Sequence, residues 1–495
     1  MTKLAKSRWF WIVFVILTIA VYFSGLTIPL VGPDEPRYAQ VAREMYLRGD
    51  WITPTLGGFN WFEKPALLYW LEISSYNLFG VSEFSARLGS AVFGLATVGC
   101  LWLLGRNGTD ANGLGKEFAK LLAVVAASTL GIIVFAHGAS FDIIVTFPLT
   151  AALTAFFIFE RKGGTLPLAA FYFFVGLALL AKGLIGIVLP FAIVGVYYLI
   201  SRRLPNTKLL LSILWGTALA VAVAAVWYVP MYLTHGYTFI DEFFIQHHFQ
   251  RYTSNKYLHP QPFYFFIWVL LLMTIPWLPF LVAAIVKWVT EIFRSDEKET
   301  TNGDTGQRSL AELRRFALVW LIVPLLFFSF SGSKLPGYIL PAVPPAIVIT
   351  GVFIAWLITR NAVWRYPVQV IALGMLLTIY VAINFALPFF ADQESVKSLI
   401  AAADLKGFSQ NKVVGYQSVS HNAEFYAARR LIREPDGKQK RIPDIASINT
   451  IASQDEPVLM LVRPDNLEEV VSNETIKTEV LGFNGKLYIV AAWTK

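Results

Sequence analysis

Apolar runs fill the first four-fifths of the chain, and polar residues gather in short knots between them. Runs near 10–30, 84–105, 118–136, 141–159, 166–181, 183–200, 208–233, 264–288, 316–331, 338–358 and 366–388 suit helices crossing about 30 Å of hydrocarbon. Several are short or joined tightly, so the pattern predicts a polytopic α-helical membrane protein with about 11–13 spans. The first run is too long for a cleavable signal, and no small-residue cleavage site precedes the polar stretch after it. It is expected to stay as the first span.

Beyond Pro388 the hydropathy falls. "ESVKSLIAAADL" reads as an amphipathic helix, and "KVVGYQ", "PVLMLV" and "KLYIVAAW" read as strands. The expected division is a membrane domain over 1–389, including the loops 31–83 and 234–262, and a small C-terminal α/β domain over 390–495. The polar segment "FRSDEKETTNGDTGQRSLAELRR" (293–315) reads as a flexible connector without chemistry of its own. No tandem or inverted repeat is evident, which weighs against a transporter.

Composition agrees with the pattern: 56% of residues are hydrophobic, 15% are charged, and the mean hydropathy is +0.56. The net charge of +8 changes the picture only through its distribution. Lys3, Lys6 and Arg8 precede the first span, and alternation puts Arg106 and Lys116, Arg161 and Lys162, Arg202 and Arg203, Arg314 and Arg315, and Arg360 on that same side. The positive-inside rule makes that side the cytoplasm. The loops 31–83 and 234–262, the Ser333–Lys334 turn and the C-terminal domain then face outward. Read this way, the basic charge is topological, and no nucleic-acid partner is expected. The single cysteine, Cys100, excludes an intramolecular disulfide.

The candidate chemistry is concentrated on the outer side. In "VGPDEPRYAQVAREMYLRGDW" (31–51), Asp34 or Glu35 can cap a helix opened by Pro36 and closed by Gly49. One cap needs one acid, and two are present. In "LGGFNWFEKPALLYWLEI", Trp61 and Phe62 set Glu63 and Lys64 in the interfacial layer, where Glu63 can pair with Lys64 or cap the helix that Pro65 opens. An acid so near hydrocarbon is costly unless it is paired or bound to a cation. Asp142, in "GASFDIIVTFP", stands at the outer start of a span, with Ser140 competing for the cap. "DEFFIQHHFQRYTSNKYLHPQPFYF" adds His247, His248, Arg251 and Lys256, and "SGSKLPGYILPAVPP" adds Lys334 and Tyr338. Lys334 reads either as a phosphate contact or as a snorkelling interfacial lysine. Together these groups offer acids for a cation or a proton, and cations for the phosphate of a lipid headgroup.

Four of these stretches, "DEPRYAQVAREM", "WFEKPALLYWL", "HHFQRY" and "KLPGYILPAVPPA", occur in an order that resembles the ArnT-like lipid A aminoarabinose transferases. These sit within the protein O-mannosyltransferase-related group with the GT-C fold, and the resemblance runs over roughly residues 5–390. It implies an enzyme that moves a sugar, pentosyl or hexosyl, from an undecaprenyl-phosphate donor, with inversion at C1, at the periplasmic face of a bacterial inner membrane. It further implies that Asp34 is the essential first-loop acid, followed by Arg37 and Tyr38, and that Asp142 is a further functional acid. Lys64, Arg251 and Tyr338, with Lys334 beside them, become donor-phosphate groups. Glu63 and either His247 or His248 become metal-side groups, an oxygen and imidazole set that suits zinc or manganese. Lipid A, a lipopolysaccharide component, is the favoured acceptor, although the tail after 388 is shorter than in full-length relatives. A polypeptide acceptor is the first alternative. A lipid-linked glycan flippase is the second, and its ionisable residues belong at mid-membrane, where only Lys182 approaches the requirement.

Overall fold

The computed structural model describes residues 4–5, 7–109, 114–250, 260–293 and 305–495. Among these, six helices are long and apolar enough to cross a membrane: Glu83–Asn107, Phe141–Lys162, Thr165–Lys182, Thr207–His247, Pro336–Arg360 and Ala362–Glu394. Shorter apolar helices cover Arg8–Phe23 and Ile185–Ile200. The chain is therefore a multi-pass membrane protein. In chain order we label α1 (Arg8–Phe23), α2 (Glu35–Arg48), α3 (Leu67–Phe79), α4 (Glu83–Asn107), α5 (Leu114–Ala127), α6 (Leu130–Ala136), α7 (Phe141–Lys162), α8 (Thr165–Lys182), α9 (Ile185–Ile200) and α10 (Thr207–Phe239).

Two of the expected straight spans are broken. The run 118–136 bends by 59° between α5 and α6. At that bend the Ser128 and Thr129 hydroxyls donate back to the carbonyls of Val124 and Val125, each at 2.6 Å. The run 264–288 divides into Phe265–Met273 and Leu278–Phe293, because Pro276 has no N–H to continue the ladder. The two breaks meet: Leu130 N donates to the Ile275 carbonyl at 2.8 Å, and Trp277 Nε1 donates to Ser128 Oγ at 3.2 Å. Irregular backbone at membrane depth is thus satisfied inside the protein.

By Cα proximity the chain forms two compact units: Met1–Phe23, Phe62–Leu68 and Gly89–Tyr380 in the first, and Ser24–Trp61, Tyr69–Leu88 and Val381–Lys495 in the second. The last stretch of the second unit begins at Val381, and the two earlier stretches of that unit include most of the first loop. In the first unit α7 is buried along most of its length. Helices α8 and α10 approach closely through small residues: a Cβ at Gly176 would stand 2.6 Å from the Ala220 carbonyl oxygen. Past α10 the chain winds as a π-helix over Ile240–Gln250, after non-helical geometry at Gly236.

The second unit holds a five-stranded sheet. Its strands are β3 (Val413–Tyr416), β4 (Arg441–Ile442), β5 (Val458–Val462), β6 (Ile476–Phe483) and β7 (Tyr488–Thr494), the pair β1 (Thr55–Leu56) and β2 (Phe59–Asn60) being a separate hairpin. The order is β4-β3-β5-β7-β6, parallel among β3, β4 and β5 and antiparallel from β5 onward. Leu399, Ile400 and Ala403, on the expected amphipathic helix, pack with Leu459, Leu461 and Ile489 on one face. Met460, Val462 and Val490 form the other core. The loop stretches join this unit by specific bonds. Leu30 N donates to the Tyr426 hydroxyl at 2.7 Å, that hydroxyl donates to Glu83 at 3.1 Å, and Arg43 donates to the Phe425 carbonyl at 3.3 Å.

Candidate functional site

In the first unit, Phe62 packs its ring on His235 and Phe239 at 4.9 and 5.8 Å between centroids. That aromatic anchor fixes the two residues after it. Glu63 and Lys64 form an ion pair at 3.3 Å, both side chains about one-eighth exposed, at the edge of a cavity of about 270 Å3. Lys182, His247 and Tyr338 line the same cavity, together with apolar walls from Leu184, Ile185, Val188, Phe327 and Phe328.

Behind this cavity lies a second charged pair. Ser140 caps α7, accepting from Asp142 N at 3.2 Å, which leaves the Asp142 carboxylate free of capping. That carboxylate instead pairs with Lys182 Nζ from the last turn of α8. The ammonium also lies over the Tyr338 ring, 5.0 Å from its centroid. Gly337 is what admits Asp142 here, because a Cβ at that position would collide with Oδ2. Lys182, Tyr338 and Asp142 therefore form one cluster. Lys182, in the sequence the one charge that approaches mid-membrane, is thus paired with an acid 40 residues away.

The remaining residues divide as follows. His247 is on the cavity, while the side chain of His248 and all of Arg251 lie outside the described residues. Lys334 is buried and does not line the cavity; its ammonium donates to the Ser331 carbonyl at 2.7 Å. In the second unit, Asp34 occupies the N-cap position of α2 yet makes no side-chain cap bond. It accepts from Arg37 at 2.5 Å, and Arg37 lies 5.6 Å from the centroid of the Trp61 ring. Tyr38 is buried on the core face of α2.

Glu35 has a different partner from the one its position suggests. It accepts from Val31 N at 3.0 Å and holds Arg87 through two bonds of 2.6 and 2.8 Å. Arg87 is 4% exposed and also donates to the carbonyls of Leu26, Ile28 and Pro29. Arg87 thereby anchors the entrance of the first loop. Its only sequence signal is an arginine one turn inside an apolar run.

Glu63 and His247 both line the cavity, with one carboxylate and one imidazole between them. Among the described residues no three of His, Cys, Asp and Glu stand together as a ready-made metal cage. A carboxylate and an imidazole are groups that would suit a divalent ion with other coordination positions left open rather than a closed structural site.

Comparison with known proteins places these features in context. Residues 63–230 match the family described as dolichyl-phosphate-mannose-protein mannosyltransferase. An undecaprenyl phosphate-alpha-4-amino-4-deoxy-L-arabinose arabinosyl transferase from Aeromonas salmonicida is 32% identical over 330 residues, which are 65% of this chain and 55% of that protein. The chain thus spans just over half the length of that curated relative. The crystal structure of ArnT from Cupriavidus metallidurans bound to undecaprenyl phosphate superposes with a TM-score of 0.79 at 24% identity, covering 98% of each chain. The archaeal oligosaccharyltransferase AglB from Archaeoglobus fulgidus superposes at 0.52 with 14% identity, over 86% of this chain and 64% of that one. The GT-C fold expected from the four motifs is therefore observed.

Proposed function

We infer, from a chain that is ArnT-like in sequence and in fold, an integral-membrane glycosyltransferase that moves aminoarabinose or a related sugar from an undecaprenyl-phosphate donor to lipid A or another envelope acceptor. The observation that carries this reading is the cavity beside Glu63 and Lys64. Two lysines meet there against walls of Phe, Leu, Ile and Val, a chemistry matched to an anionic headgroup on an apolar chain.

In this reading Lys64 and Arg251 neutralise the charge that develops on the departing phosphate. Tyr338 offers a hydroxyl beside it. Asp142 holds Lys182 in place, so that the second ammonium stays at the cavity without adding an uncompensated charge. Lys334 has the weaker claim, because it does not line the cavity and its ammonium is turned to the Ser331 carbonyl. Asp34 is the reacting-centre acid on the strength of the sequence resemblance and of its freedom from capping. It removes a proton if the acceptor is a hydroxyl and steadies charge if the acceptor is a phosphate. A divalent ion, zinc or manganese, would be held by Glu63 and His247 and would supply Lewis-acid stabilisation of the phosphate. We place the protein in a bacterial inner membrane with its N-terminus in the cytoplasm, and with the cavity and C-terminal domain facing the periplasm.

The test is reconstitution with an undecaprenyl-phosphate-linked aminoarabinose and purified lipid A, read by mass spectrometry of the lipid. Transfer to lipid A is expected. Transfer only to a polypeptide acceptor would move the protein to the mannosyltransferase-like alternative, and translocation of the intact donor without transfer would make it a flippase.

A further inference from the structure

At the other end of α8, α9 and α10 lies a second cavity, of about 540 Å3, that shares no lining residue with the first. Phe171 of α8, Phe191 and Gly195 of α9, and Leu209 and Ile213 of α10 form its sides, and Arg202 stands in the loop at its mouth. The loop is tied to its neighbours at Arg203 and Asn206. Arg203 pairs with Glu160 at the end of α7 at 2.6 Å and lies over the rings of Tyr197 and Tyr198. Asn206 caps α10 by accepting from Leu209 N at 2.8 Å. Arg203 is thus neutralised, and Arg202 is not: its guanidinium is exposed and has no hydrogen bond or ion pair among the described residues.

Two details mark the place as more than a loose corner. Arg202 has a φ of 49°, a left-handed conformation that a side chain of its kind rarely adopts. Gly195 faces open space, with nothing within 4 Å of where its Cβ would be. The walls are mostly apolar, Tyr172, Tyr198 and Arg203 being the other polar-bearing residues on them, and Leu199 and Leu210 of the lining are at least half exposed. A free phosphate would gain nothing from such walls. A molecule with an anionic head and an apolar tail would gain from both parts.

We propose that this groove binds one anionic phospholipid of the adjacent leaflet, its phosphate on Arg202 and an acyl chain between α9 and α10. The proposal stands independently of the glycosyltransferase reading. It is tested by native mass spectrometry of the purified full chain released from detergent containing phosphatidylglycerol or phosphatidylcholine. Retention should favour phosphatidylglycerol by about fivefold, the scale of one basic residue acting on anionic lipid. Arg202→Asn tolerates the left-handed backbone and should bring the two lipids to parity. Gly195→Leu fills the groove without a clash and should remove the bound lipid of either kind, with an unchanged unfolding midpoint as the control for folding. Equal retention of the two lipids by the unaltered chain would overturn the proposal. So would phosphatidylglycerol retention unaffected by both substitutions. Binding of inorganic phosphate that depends on Arg202 but survives Gly195→Leu would identify a simple anion site instead.

Discussion

Asp34→Asn keeps the shape of the α2 start and removes only a charge that Arg37 partly screens. The variant should therefore fold with near-normal thermal stability while sugar transfer falls by about a hundredfold or more, the scale of losing a positioned acid or electrostatic group. Glu35→Gln should behave in the opposite sense. It leaves the buried Arg87 guanidinium short of its counter-charge, and breaking such a pair costs on the order of 3–5 kcal/mol, visible as a lowered unfolding midpoint. Equal stability of the two variants would show that Arg87 does not depend on Glu35. Lys64→Ala should weaken donor use by about 1.5–3 kcal/mol, read from kcat/KM for the lipid-linked donor. Gly337→Ala should cost about a hundredfold by displacing Asp142, and little more when added to Asp142→Ala, where no carboxylate remains to be displaced. Additive losses would separate the two residues. The acids themselves were legible in the sequence, because charges at the edge of apolar runs stand out. Their partners were not. Lys182 and Arg87 lie 40 and 52 residues from the carboxylates they hold, a distance over which only the fold brings them together.

Helix α3 carries a carboxylate that its apolar pattern conceals. Glu72 is fully buried, and neither of its oxygens has a hydrogen-bond partner among the described residues. Burial first, and Glu35 second, push its titration well above the ordinary carboxylate range. The folded protein therefore keeps this proton through a pH range in which the unfolded chain has released it. Stability from this group is greatest below the unfolded value near 4.5 and falls as pH rises toward the folded value. Glu72→Gln should flatten that decline and raise the unfolding midpoint in neutral buffer relative to the unaltered chain. A pH profile of unfolding that the substitution leaves unchanged would mean Glu72 ionises freely in the fold. The apolar periodicity identified most of the helices, and the period-two runs identified β3, β5 and β7, because each such element buries one face or both. The breaks near 128 and 276 escaped that reading. They are tied to each other by the Leu130–Ile275 backbone bond and the Trp277–Ser128 side-chain bond, between residues about 145 positions apart, and no local periodicity reports such a link.

The side of the membrane on which each loop lies is a property of the whole chain, set by its basic residues collectively. In a background with Cys100 replaced, Asn60→Cys and Lys438→Cys should react with an impermeant thiol reagent in whole cells, and Asn302→Cys should react only after lysis. Labelling of the residue 302 position in intact cells would invert the orientation and with it the proposed compartment of the reaction. The interlocked breaks also bear on how the protein is made. The segment Phe265–Met273, nine residues at about 1.5 Å each, reaches less than half-way across the hydrocarbon, and so does α6 with seven. Neither is a self-sufficient insertion signal for the translocation machinery. The ribosome synthesises α6 well over a hundred residues before the carbonyl of Ile275 that accepts from Leu130. Until that later stretch emerges, the Leu130 amide lacks the acceptor it has in the fold, so α6 is expected to take its final seat only after residue 275 has been made. Truncations ending before residue 275 should accordingly be cleared by membrane proteolysis much faster than truncations ending after residue 293.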